Sequence, residues 1–207
     1  MCNNKVTRAY TGVFEFREDA DNGVGVIEGT PIVFNSVTNL GYFDEVIMPN
    51  ALDETDLRDV RLCLNHDTSY VYARSRNNNE NSTMQLKPNE MGMGMRANLA
   101  INESARHNDL YTALKRGDID KMSFMFTIDG YEWENLESDH PLRKITKIGK
   151  VFEVSAVTFP AYDDTSISAR DDAKALENAK AALESARVES RNREIELLKL
   201  KIKMMEN

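Results

Sequence analysis

The alternation of apolar and polar positions predicts that most of the chain forms β-strands. Short runs rich in β-branched and aromatic residues are separated by Asn, Asp, Gly and Pro, which are typical of turns. The predicted strands span residues 6–16, 24–34, 42–48, 60–65, 70–74, 84–86, 91–101, 121–133 and 143–159. Two helices are predicted between them, at 51–57 and 103–116, the longer one with Asn102 or Ser104 as N-cap and Gly117 as its stop signal. This order predicts a β-rich α+β fold, with a barrel or sandwich favoured over alternating βαβ units.

The last 37 residues have a different pattern and predict one long helix. Residues 171–207 are rich in strong helix formers and contain no Gly, Pro, His, Cys or aromatic residue. Their apolar positions recur every three or four residues and are interrupted at Ser190 and Arg193. Two interpretations stay open, a solvated amphipathic helix and a coiled-coil or partner-binding arm. The sequence therefore divides into a body, residues 1–170, and a helical tail, residues 171–207.

Charge and composition argue against several classes of function. The net charge is −8, and the tail holds 8 acidic and 8 basic residues, so residues 1–170 carry all of it. That balance weighs against a general nucleic-acid binder, which needs clustered Lys and Arg. No apolar run is long enough to span a bilayer, and the polar start of the chain predicts no signal peptide. Two cysteines, Cys2 and Cys63, do not form a disulfide framework and favour a reducing cytoplasm.

Histidine and cysteine offer few candidates for chemistry. Of three histidines, His107 and His140 are predicted to face solvent, whereas His66 ends an apolar strand. His66 is either a structural residue or a general base, since its pKa lies near working pH. Cys63 precedes it by three positions, which in a strand puts the two side chains on opposite faces and argues against a zinc site or a Cys–His pair. Cys63 is predicted to be a core residue, and neither a metal nor a cofactor is expected.

A serine and a glutamate stand out within two apolar strands. Ser123 lies among large apolar residues, where its hydroxyl is either bonded to backbone or a nucleophile. Glu153 lies in a strongly β-forming run and is either a solvent-side charge or an acid that orients a histidine. His66, Ser123 and Glu153 together could supply base, nucleophile and acid, although their spacing does not show that they meet.

Four segments in order resemble one known family. They are 43–52 (FDEVIMPNAL), 64–67 (LNHD) with Arg74, 116–124 (RGDIDKMSF) and 153–162 (EVSAVTFPAY). Together they resemble the prohead maturation proteases of tailed bacteriophages, which are related to the herpesvirus assemblins. Asn50, the pair Tyr72-Ala73 and Met125 depart from residues common in that family, and Met125 shares the predicted strand face of Ser123.

The resemblance implies a serine peptidase with an assemblin-like closed β-barrel flanked by a few helices. It implies His66 as general base and Ser123 as nucleophile. Assemblins have a second histidine as the third member, and here Glu153 stands on the matching strand and is the expected third member. By analogy, the backbone amides of Ala161 and Tyr162 would form the oxyanion hole.

The resemblance also implies where the protein acts and on what. Its substrates would be the phage major capsid protein or scaffolding protein, and the protease itself, inside the assembling prohead in the host cytoplasm. Self-association is a further expectation, whereas nucleic-acid and membrane partners are not. The alternative is a non-catalytic capsid assembly or scaffolding protein that retains the protease fold.

Overall fold

The computed structural model describes residues 5–11, 14–19, 23–158 and 171–205, which form two β-sheets and two α-helices. The strands are β1 (Lys5–Thr11), β2 (Glu15–Asp19), β3 (Val24–Val33), β4 (Val37–Asn39), β5 (Asp44–Ile47), β6 (Val60–Leu64), β7 (Ala73–Ser75), β8 (Met84–Asn89), β9 (Gly92–Ala100), β10 (Lys121–Glu134) and β11 (Leu142–Val157). The helices are α1 (Ala105–Arg116) and α2 (Asp171–Met205), and a short 3-10 helix spans Pro49–Leu52.

The larger sheet is built around the long strand β11. Its strand order is β1-β10-β11-β5-β4, with β6 beside β11 and β7 beside β6. The first part of β11 pairs in parallel with β5, and the part from Glu153 to Ala156 pairs in parallel with β6. On its other side, β11 pairs antiparallel with β10 along nearly its whole length. The end of β6 is therefore held beside the middle of the sheet.

The smaller sheet has the order β2-β3-β9-β8, and the main core lies between the two sheets and α1. The strand-rich α+β fold is confirmed, but the closed barrel is not, because the described strands form two separate sheets. The chain also changes sheets near its start. Residues 6–16, predicted as one strand, contain most of β1 in the larger sheet and the beginning of β2 in the smaller one.

The helix signals in the sequence are confirmed for α1 and only partly for the shorter prediction. The Ser104 side chain caps α1 by accepting a hydrogen bond from the His107 N–H, and Gly117 ends it in the left-handed region at φ +78°. The helix predicted at residues 51–57 is only the 3-10 helix Pro49–Leu52.

The tail forms a single helix, as predicted, and its first half packs on the body. Ala179 and Leu183 are buried against Leu40 and Phe43, and Arg187 donates hydrogen bonds to two carbonyls in the loop after β10. Residues 188–205 are all exposed. Neither of the described α-helices carries an apolar stretch long enough to cross a bilayer.

Candidate active site

The chain places His66 on a tight turn directly after β6. Asn65 and His66 both have left-handed backbones, with φ of +51° and +60°, a region that few residues other than glycine enter. The turn is tied to β11 by two hydrogen bonds, from the Asn65 N–H to the Ala156 carbonyl (2.9 Å) and from the His66 N–H to the Ser155 hydroxyl (3.2 Å). The Asn65 side chain also accepts a hydrogen bond from the Thr158 N–H (2.9 Å). These contacts fix the backbone that carries the imidazole. The His66 side chain is 28 % exposed.

Glu153 faces His66 from the neighbouring strand. Its Oε1 lies 2.7 Å from His66 Nδ1, and its side chain is buried. The structure thus excludes the solvent-side strand charge considered from sequence. A carboxylate at Nδ1 fixes the ring orientation and leaves Nε2 as the ring atom available for proton transfer.

Ser123 lies on the next strand, on the same side of the sheet. It pairs directly with Ser155 of β11, and side chains directly opposite each other on paired strands share a face. Ser123 is 1 % exposed, and its hydroxyl donates to the Arg8 carbonyl of β1 at 2.9 Å. Among the described residues, no hydrogen bond joins Ser123 to His66. The structure therefore brings His66 and Glu153 together and places Ser123 beside them with its hydroxyl turned to β1.

Ser155 belongs to the same cluster and was missed in the sequence. It is fully buried, and its hydroxyl donates to Oε2 of Glu153. The available signal was a lone hydroxyl in the apolar run of β11, two positions after Glu153 and so on the same face. Met125 pairs with Glu153 across β10 and β11, and so shares the face of Ser123, as predicted.

The remaining candidates have structural surroundings. Cys63 is buried, as predicted, and burial together with the Glu153 charge raises the pKa of its thiol to about 12. His140 is exposed, as predicted, but the prediction for His107 is wrong. His107 is half-buried against Tyr72, its Nδ1 accepts a hydrogen bond from the Ala100 N–H (3.1 Å), and burial lowers its pKa.

Two further points concern the oxyanion hole and metal binding. Ala161 and Tyr162, the predicted oxyanion-hole residues, lie outside the described residues. Within the described ranges, no three His, Cys, Asp or Glu side chains are grouped so as to hold a metal ion.

A buried ion cluster holds β1 in the larger sheet. The carboxylate of Glu45 on β5 contacts the guanidinium groups of Arg8 on β1 and Arg143 on β11, and all three side chains are buried. Burial alone would raise the pKa of Glu45, but the two arginine charges and their hydrogen bonds outweigh it and lower the pKa. The cluster was not predicted, and it fixes the strand whose carbonyl accepts the Ser123 hydroxyl.

A serine, a histidine and a carboxylate on adjoining elements are the groups that acyl transfer needs. The family model described as caudovirus prohead serine protease matches residues 13–181, which is most of the chain and includes all three groups. The chain belongs to this family. The resemblance seen in the sequence is thereby confirmed, and the protein is a serine peptidase of the prohead protease family. No curated protein and no solved structure shows a significant match.

Proposed function

We propose that the protein hydrolyses peptide bonds through an acyl-enzyme formed on Ser123, with His66 as general base and Glu153 as the orienting acid. The observation that carries the proposal is the 2.7 Å contact between His66 Nδ1 and Glu153 Oε1, beside the strand that bears Ser123. A buried carboxylate on one imidazole nitrogen is the arrangement that makes the other nitrogen an effective base.

The reaction begins with a rotation of the Ser123 side chain away from the Arg8 carbonyl toward His66. The cost is about one hydrogen bond, ~1 kcal/mol, which a bound substrate can offset. Ser123 Oγ then attacks the scissile carbonyl carbon while its proton passes to His66 Nε2. The imidazolium, stabilised by Glu153, protonates the leaving amine as the C–N bond breaks. Water then hydrolyses the ester, with His66 taking its proton and returning one to Ser123.

The oxyanion of the tetrahedral intermediate needs hydrogen-bond donors that are already in place. Backbone N–H groups of Ala161 and Tyr162 are the proposed donors, by analogy with the assemblins. They follow Thr158, which the Asn65 side chain holds, so the base turn and the start of this segment share an anchor. The loss of one such donor typically costs ~10²–10³ in rate.

The substrates proposed for the site are phage capsid-assembly proteins. The family description places its members in the prohead, which supports scaffolding protein, or a scaffold-like segment of the major capsid protein, as substrate. Cleavage of the protease itself and action inside the prohead, in the host cytoplasm, belong to the same proposal. The tail, residues 171–207, is proposed as an arm that docks the protease during assembly, because its second half exposes apolar residues.

Co-expression with the phage's own capsid and scaffolding proteins tests the proposal. The wild type is expected to produce shortened products in mass spectrometry, and Ser123→Ala and His66→Ala are expected to leave them uncut. Ser75→Ala is the matched control, since Ser75 is also a buried serine but bonds Asn78, away from the site. Identical uncut products from wild type and Ser123→Ala would support the non-catalytic alternative. Cleavage that survives Ser123→Ala would exclude Ser123 as the nucleophile.

A further inference from the structure

We infer that Ser155 is a positioning residue that sets the geometry of the His66–Glu153 pair. The inference rests on the proposed function, because it assigns Ser155 to the same site. One hydroxyl makes both contacts: it donates to Glu153 Oε2 and accepts the backbone N–H of His66 at 3.2 Å. A serine hydroxyl has one proton and two lone pairs, so the two contacts are compatible. Ser155 thus ties the head group of the acid to the main chain of the base.

The contact with Glu153 selects which carboxylate oxygen faces the imidazole. A glutamate head group rotates readily about its last torsion, which is broad and weakly preferred. With Oε2 held by the Ser155 hydroxyl, Oε1 is directed at His66 Nδ1. Hydrogen bonds to an ionised acceptor are about twice as strong as neutral ones, so this contact is an effective restraint.

The contact with His66 restrains an unfavourable backbone. His66 has φ +60°, and such conformations persist only where the surroundings hold them. The Ser155 hydroxyl is one of the groups that hold this turn against β11. Without it, both partners of the 2.7 Å contact would gain freedom at the same time.

The position of Ser155 in the sheet agrees with this assignment. It pairs with Ser123 on one side and with Cys63 on the other, so it lies between the proposed nucleophile and the strand that leads to the base. A buried hydroxyl in an apolar strand costs free energy unless it is hydrogen-bonded. Within the described part of the chain, the hydrogen bonds of its side chain are to the two proposed catalytic residues His66 and Glu153.

Kinetics of Ser155→Ala and Ser155→Thr, with Ser75→Ala as matched control, test the inference. The substrate is a peptide that spans a mapped cleavage site, and a fluorophosphonate that labels nucleophilic serines is a second probe. Ser155→Ala is expected to lower kcat and the labelling rate of Ser123 about 10–100-fold, since a misplacement of about 1 Å can cost ~10²-fold in rate, with KM changed less than about twofold. Ser155→Thr keeps the hydroxyl and is expected to recover most of the rate, and Ser75→Ala to retain it.

A spectroscopic readout separates positioning from general destabilisation and needs no turnover. The downfield proton resonance of His66 Nδ1–H is expected in the wild type and in Ser155→Thr, and lost or shifted in Ser155→Ala. An unchanged resonance and an unchanged rate in folded Ser155→Ala would overturn the inference. If Ser155→Ala does not fold, Ser155→Cys replaces it, since a thiol is a weak donor of similar size. Equal rates and equal resonances for Cys and Ser would then overturn it.

Different results would contradict the proposed catalytic mechanism and the positioning role of Ser155. A wild type that fluorophosphonate does not label at Ser123 contradicts the assignment of the nucleophile, whereas the His66 resonance still tests Ser155. Labelling at Ser123 that is equally fast with and without the Ser155 hydroxyl contradicts only the positioning of the pair.

Discussion

The Ser123 hydroxyl donates to the Arg8 carbonyl, whereas the proposed mechanism requires it to donate to the His66 ring. Ser123 is 1 % exposed, so its side chain is not open to a substrate in the resting structure. Among the described residues, no hydrogen bond joins the proposed nucleophile to the proposed base, so in this mechanism the rate of the first step depends on how well His66 is oriented. In the proposed mechanism, the charge of Glu153 both orients the His66 ring and stabilises its protonated form.

Glu153→Gln tests that charge with almost no change in shape. The amide oxygen can still face Nδ1, but it cannot stabilise the imidazolium that forms as Ser123 loses its proton. The expected result is a fall in kcat of up to ~10⁴-fold, as when the acid of a serine protease triad is neutralised. Steady-state rates on the mapped peptide measure it. A rate equal to the wild type would leave a Ser–His dyad or a different acid.

Cys63 offers a test of the environment around the site. Since the pKa of its thiol is about 12, it stays protonated at pH 8, and burial blocks reagents. In a Cys2→Ser background, no fast reaction with a thiol-specific disulfide reagent is expected in the folded protein. One thiol should react after unfolding in guanidinium. Fast labelling of the native protein would show that the end of β6 is open to solvent.

Single residues were more predictable than their contacts. His66, Ser123 and Glu153 stand out in the sequence because a polar group in or at the end of an apolar strand costs free energy unless it has a hydrogen-bond partner. The sequence did not reveal Ser155, whose hydroxyl matters through a neighbour on another element. A backbone partner for the Ser123 hydroxyl was one of the alternatives and is what the structure has. The sequence did not show that this partner is Arg8, because β1 and β10 are far apart along the chain.

Among the elements, β1 depends on the ion cluster of Glu45, Arg8 and Arg143. Glu45→Gln would remove the counter-charge of two buried guanidinium groups while keeping the side-chain volume. Breaking a buried pair in this way typically costs ~3–5 kcal/mol. Urea unfolding at pH 7 measures the loss. Glu28→Gln is the matched control, since Glu28 pairs with Arg96 on the surface, where ~0–1 kcal/mol is expected.

The same cluster predicts a pH dependence with a definite sign. The folded state lowers the pKa of Glu45 below its usual 4.5, so the contribution is fully present above that pH and is lost as the pH falls through the folded pKa. The difference in unfolding free energy between wild type and Glu45→Gln should be constant from pH 6 to 8 and shrink in acid. A difference that does not shrink in acid would contradict the assignment.

Element boundaries show where the hydrophobic pattern is insufficient. Alternation continues through residues 6–16, so the pattern predicts one strand, yet β1 and β2 join different sheets. The three-residue strand β4 was missed because so short a run carries no periodicity. The pattern reports which face is buried, whereas the pairing partner is set by contacts distant in sequence.

At the scale of the whole molecule, α2 has two halves with different surroundings, and a matched pair of leucines tests them. Leu183 is 5 % exposed against the body, whereas Leu198 on the same helix is 52 % exposed. Leu183→Ala is expected to lower the free energy of unfolding by ~2 kcal/mol or more, and Leu198→Ala to change it by less than ~0.5 kcal/mol. Thermal and urea unfolding measure both. Equal effects would contradict the docking of the first half.

Removal of the exposed half of α2 tests whether catalysis and assembly depend on different parts of the protein. A chain that ends after Arg187 keeps the buried contacts of Ala179 and Leu183 and the hydrogen bonds of Arg187 to the body. It is expected to fold, to unfold in urea at an unchanged midpoint concentration, and to cleave the peptide at the wild-type rate. If residues 188–205 are the surface that docks the protease, the same chain should be depleted from proheads purified after co-expression, as measured by quantitative mass spectrometry.

Ile202→Glu in the full-length chain places one charge on the exposed surface and should reduce incorporation without affecting peptide cleavage. Full incorporation of both variants would show that docking uses the body of the protein, and loss of peptide cleavage on truncation would show that this half of α2 supports the site itself.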